Sequence, residues 1–249
     1  MKGYGYFTTV VSYILKSQKR KLIQLSYRLK DKVGLEIGGP SSSFDLKSYF
    51  PVYLFAKQVD GVNFSNETVW EGKIEAGPNY KYSKDKKGYQ FIGEASDLTN
   101  IDTNKYDFVL SCHSLEHVAN PVKALKEWFR VLKPGGTIVL ILPDKEQTFD
   151  HNRPYTTLEH LKEDYSNNID EHDETHFEEV NTLHDLSMDA GVKNLTELKE
   201  RTKNNFINRC VHHHVYSLEL LENLLNYCGF KTTYKQKATP FHLIILAQK

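Results

Sequence analysis

Residues 33–42 read Val-Gly-Leu-Glu-Ile-Gly-Gly-Pro-Ser-Ser, a short apolar run broken by one acid and closed by a double glycine. A run this short, ended by a turn, has the form of a buried parallel strand. A glycine turn at a strand end lets backbone groups approach a polar ligand at the edge of a sheet. The rest of the chain repeats the strand pattern. Residues 58–64, 89–94, 106–111 and 137–142 read as further strands, and 64–87, polar and without a sustained period, as loop. Pro121 suits a first helical turn, and Ala124, Leu125, Trp128, Phe129 and Leu132 recur at helical spacing until Lys133-Pro-Gly-Gly136 stops the helix. Residues 218–227 form a helix closed by Gly229, and 230–237 and 241–248 a last pair of strands. Alternating strand and helix units imply a doubly wound α/β sheet with a parallel majority.

Balanced charge, with 32 basic and 32 acidic residues, argues against a general nucleic-acid binder. The 249 residues suit one large domain carrying an insertion, and three scattered cysteines form neither a disulfide framework nor a zinc ribbon. Reduced thiols in the cytoplasm are the expectation. Residues 4–15 are apolar and 16–32 basic, the reverse of a secretory leader, and twelve residues fall short of the ~20 that cross a bilayer. Residues 1–32 are therefore expected to be an N-terminal helical extension with a solvated basic face; a peripheral membrane contact or a dimer contact is the alternative.

Three blocks in order, the 33–42 turn, Tyr106-Asp-Phe-Val-Leu-Ser-Cys-His-Ser-Leu-Glu-His-Val118 and Arg130-Val-Leu-Lys-Pro-Gly-Gly136, resemble class I S-adenosylmethionine (SAM) methyltransferases. The resemblance implies a Rossmann-like, seven-stranded sheet over 33–249, ending in an antiparallel hairpin. Its cofactor would be SAM and its product S-adenosylhomocysteine (SAH). By the same resemblance, Glu36 and the Gly38-Gly39 backbone cradle the methionine part of SAM. Pro40 and Ser42 stand where the family has further glycines, and Pro40 has no N–H to donate. Asn63 aligns with the acid that binds the ribose, with Asp60 as fallback. Glu94, Ala95 and Ser96 align with the adenine segment, and Ser111 ends the fourth strand.

Methyl transfer requires an aligned acceptor, exclusion of water and, for a hydroxyl, removal of a proton. Histidines after the fourth and fifth strands suit that task, and His113 and His151 are the expected proton-handling residues. His113-Ser-Leu-Glu116-His117 also spells a metal-peptidase spacing, which leaves open a metal-dependent hydrolase; a non-catalytic binding module is the other rival. Residues 143–214 form an insertion on the substrate side that holds eight of the eleven histidines. These are read as a polar pocket, as structural hydrogen bonding or as a metal cluster, with no metal ligands assigned. Residues 143–165 resemble bacterial methyltransferases associated with glycan assembly, which implies a polar small molecule or glycan as substrate and an oxygen as the methylated atom.

Overall fold

A computed structural model describes residues 17–48 and 50–249. The first part of the expected N-terminal extension, including the apolar stretch 4–15, lies outside the described residues. Helix α1 (Ser17–Tyr27) buries Leu22, Ile23 and Leu25, and Leu29 continues its apolar face.

An eight-stranded sheet forms the centre. In chain order its strands are β1 (Val33–Ile37), β2 (Gln58–Asn63), β5 (Gly77–Ser83), β6 (Lys86–Ile92), β7 (Tyr106–Cys112), β8 (Leu132–Pro143), β9 (Lys231–Ala238) and β10 (His242–Gln248). Across the sheet the order is β5-β6-β2-β1-β7-β8-β10-β9. The pairs β6-β2, β2-β1, β1-β7 and β7-β8 are parallel, and the closing hairpin is antiparallel to β8. Ile138 to Leu142 on β8 are at most 1% exposed, as expected for a strand covered on both faces.

The eighth strand corrects the sequence reading of 64–87 as loop. That stretch forms a small ribbon, β3 (Glu67–Thr68) with β4 (Gly72–Lys73), and then β5, which pairs antiparallel with β6 at the sheet edge. An edge tolerates Pro78 and lysines, which hide the strand from a period count. Its anchors are Tyr80 and Tyr82, both buried and two residues apart.

Helix α3 (Pro121–Val131), which follows the short α2 (Val52–Phe55), starts at Asn120, whose side chain accepts from the Lys123 N–H. It buries Val122, Ala124, Leu125, Trp128 and Val131 on the sheet. The insertion contributes α4 (Leu158–Ser166), α5 (Phe177–Leu183), α6 (Leu195–Lys203) and α7 (Asn205–Asn208), and α8 (Leu218–Tyr227) returns to the sheet. No described helix is long and apolar enough to cross a membrane.

Candidate cofactor and substrate cavity

A cavity of about 320 Å³ opens where β1, β2, β6 and β7 end, within the usual range of small-molecule sites. Crevices at the carboxyl ends of parallel strands are where doubly wound sheets bind ligands. The insertion supplies the opposite wall through Glu171 and Arg209.

The turn after β1 is braced from beneath. Glu36 is fully buried: Oε2 accepts from the Tyr53 hydroxyl at 2.6 Å and the Tyr80 hydroxyl at 2.8 Å, and Oε1 from the Ser41 N–H at 2.9 Å. Desolvation pushes its carboxyl up to about 7, although these three donors pull the other way. Glu36 therefore shapes the turn from beneath and is not among the residues that line the cavity. Gly38 does reach it, at φ +74°, where a Cβ would come within 2.3 Å of Ser114 Oγ. Its N–H is spent on Val62 O. Gly39 lies against Glu36, 2.3 Å from its carboxyl carbon to a built Cβ, and faces a neighbouring hollow. Pro40 borders both spaces.

Asn63 lines the cavity, and its Nδ2 donates to Gly39 O at 3.0 Å, which orients Oδ1 as the acceptor. Asp60, the fallback, is buried elsewhere: it accepts from the Tyr106 hydroxyl, the Tyr89 N–H and the Gln58 amide. Glu94 and Ala95 line the cavity. Ser96 does not, facing a hollow beside Lys123, and Ser111 is buried within β7. The structure thus brings Gly38, Pro40, Asn63, Glu94, Ala95 and His113 together and leaves Glu36, Gly39, Ser96, Ser111 and His151 off the wall.

Arg209 escaped the sequence reading. Its guanidinium donates to Glu94 Oε1 at 2.7 Å, pairs with Glu171, and lies 5.0 Å over the Phe64 ring. It links residues 115 positions apart, so no local spacing marks it. Trp70 and Glu71, from the misread ribbon, also line the cavity, and the Trp70 ring lies 5.6 Å from that of His117.

At the other end stands His113, in the left-handed region at φ +51°. Its Nδ1 is 3.5 Å from Glu116 Oε1 and its Nε2 3.0 Å from His242 Nδ1. Glu116 is buried; desolvation alone would raise its carboxyl, yet the surrounding His113, His117 and His212 hold it low. His117, also on the wall, is held down to about 3 chiefly by burial, so its imidazole is neutral. The structure does not bring His151 here. Its Nε2 is 2.8 Å from Asp185 Oδ2, within the insertion.

The rest of the insertion is a charge network. Arg153, 1% exposed, donates to Asp150, Glu179 and the carbonyls of His212 and His213. Asp150 also meets His212 Nδ1. Burial alone would lower His212, but the Asp150 charge lifts it above the ordinary histidine value and is itself depressed in return.

Residues 36–140 match a family model described as a methyltransferase domain. The solved structures agree on the architecture. A SAM-dependent methyltransferase from Mesorhizobium loti superposes with a TM-score of 0.53 at 10% identity, covering 92% of this chain and 96% of that one. A Pyrococcus horikoshii protein superposes at 0.51 with 17% identity, covering 95% and 91%. The fold is that of the SAM-dependent methyltransferases. Two curated relatives are similar over part of the chain: ajmaline N-methyltransferase from Rauvolfia serpentina, 33% identical over 84 residues, and demethylmenaquinone methyltransferase from Staphylococcus saprophyticus, 35% over 85. Each match covers 34% of this chain and 28% or 33% of the relative, so the chain spans about a third of the relatives' length.

The match of residues 36–140 to a methyltransferase-domain model, with solved SAM-dependent methyltransferases of this fold, points to SAM as the cofactor. The residues present fit it: a side-chain-free Gly38 surface beside an Asn63 acceptor, with Glu94 and Ala95 farther along the same wall.

Proposed function

We propose that this protein is a SAM-dependent methyltransferase that methylates an oxygen, less readily a nitrogen, of a polar small molecule or a sugar of a glycan. One observation carries the reading: a single cavity runs from the Gly38 turn and Asn63 to His113 and His117. Gly38, Pro40, Asn63, Glu94 and Ala95 hold the cofactor, while Glu36 and Gly39 fix the turn from below. When bound, SAM supplies an electrophilic methyl group on a sulfonium. His113 takes the acceptor's proton. With Glu116 beside Nδ1, that nitrogen carries the hydrogen and Nε2 keeps the lone pair, now shared with His242. An acceptor hydroxyl that reaches Nε2 takes the place of His242. Arg209 and Glu171 close the far end and exclude water. Three free thiols, Cys112, Cys210 and Cys228, support a cytoplasmic setting.

Incubation with SAM labelled in its methyl group and a panel of hydroxylated acceptors, read by mass spectrometry, tests the proposal. Label on an acceptor oxygen with an equal amount of SAH supports it. SAH binding without turnover on any acceptor would favour the non-catalytic module.

A further inference from the structure

On the far side of the loop that carries His113 and His117, three histidines from distant segments meet. His160 stands on α4, His176 caps α5, and His214 lies in the extended segment before α8. One ring nitrogen of each lies within 4.8 Å of one from each of the others. His160 Nε2 is 3.1 Å from His176 Nε2. Asp164, one turn beyond His160 on the same helix face, places Oδ2 3.4 Å from His160 Nε2. A tetrahedral ion with bonds of about 2.0–2.1 Å has ligand atoms about 3.4 Å apart.

Hydrogen bonding joins His160 to His176 but does not account for the rest of the cluster. Asp164 Oδ2 and His214 Nδ1 are buried and have no hydrogen-bond partner among the described residues. His214 Nε2 instead lies 3.2 Å from Ala119 O. That contact puts the ring hydrogen on Nε2 and leaves Nδ1 a bare lone pair, the arrangement in which a ligating imidazole is steered by a main-chain carbonyl behind it. Unpaired buried acceptors of this kind are costly unless something neutralises them.

We propose that His160, His176 and His214 form a site for a divalent transition-metal ion, with Asp164 beside them as a compensating charge and zinc the best match to three imidazoles. Calcium and magnesium take oxygen ligands and would be poorly served. The ion would pin α4, the start of α5 and the 212–214 segment to one another. Through Ala119 it would also hold the loop whose front face lines the cavity. The site stands whether or not the methyltransferase reading does.

Untagged protein, stripped with chelator and titrated with zinc alone, tests this, with elemental analysis for stoichiometry and cobalt(II) spectra for tetrahedral geometry. The expected result is one zinc per chain and a thermal midpoint that rises with zinc. His176→Gln and His160→Gln, both at the more exposed edge, should each weaken zinc binding at least about 100-fold, above the 10- to 100-fold range of outer-shell changes. His117→Gln separates the other close trio, Glu116, His117 and His212, and should leave zinc binding intact. No bound zinc in the wild-type chain overturns the proposal. So does wild-type zinc affinity in the His176→Gln and His160→Gln variants.

Discussion

The two walls of the cavity are held by different physics. The strand side is made of buried apolar residues, with Leu35, Val109 and Leu140 at 0% exposure, and its buried acids, Glu36 and Asp60, are each satisfied by three neutral donors. The insertion side rests on Arg153, Asp150, His212 and Arg209, joined by charge-assisted bonds. Apolar burial is indifferent to pH, whereas buried ion pairs collapse when one partner is lost. The cofactor wall should therefore survive conditions that loosen the substrate wall.

The sharpest way to break this comparison is to damage each wall once. Arg153→Met leaves Asp150 with His212 alone and should cost about 3–5 kcal/mol in urea unfolding; Leu140→Ala should cost about 2–5 kcal/mol through a cavity. Only the Arg153 loss should vary with pH. The depressed carboxyl of Asp150 contributes stability above 3.8, lost as the pH falls, and the raised imidazole of His212 contributes below 6.5, lost as the pH climbs through its folded value. Equal pH dependence in both variants would contradict the division.

Next in size is the reacting end. His113→Ala should reduce turnover ~10²-fold or more with SAH affinity unchanged, while His151→Ala, outside the cavity, should leave turnover within about twofold, too little for a lost proton-transfer group. Steady-state rates with the reverse ranking would return the base to the insertion.

Much of the cofactor wall was legible in the sequence, because strand ends declare themselves. Val33–Ile37 stops at glycines, so Gly38 could be placed from local pattern, His113 from its position after the fourth strand, and Asn63 and Glu94 from the resemblance to the methyltransferases. Where period failed, so did the reading. Strand β5 is short, begins Gly77-Pro78 and sits at an edge, and α5 is seven residues long and mostly polar. The insertion's contributions to the cavity come through contacts over 50–115 residues, as in Glu171 to Ala119 and Arg209 to Glu94, which no spacing rule reaches. The surroundings of His151 were illegible for the same reason: its partner is Asp185, 34 residues on.

A smaller effect sharpens the account of Glu36. Its carboxyl is raised from 4.5 to about 7, so the folded state binds the extra proton between those values and stability should fall as pH rises across that window. Glu36→Gln should flatten the slope, measured as thermal midpoint against pH. A slope unchanged in the variant would place it elsewhere. Smaller again, Asn63→Ala should weaken SAH binding by about 1–2 kcal/mol, the loss of one buried hydrogen-bond partner, and calorimetry would show it. No change would remove Asn63 from the ribose contact.

The central claim is that the Gly38 cavity is a SAM site, and calorimetric titration with SAH tests it most directly. One site per chain with a dissociation constant in the micromolar range, about −8 kcal/mol, is the expected result. Gly38→Val should abolish it, because a β-branched side chain at φ +74° would strike Ser114 and fill the ligand's approach. No heat at millimolar SAH, or undiminished affinity in a folded Gly38→Val variant, would contradict the account.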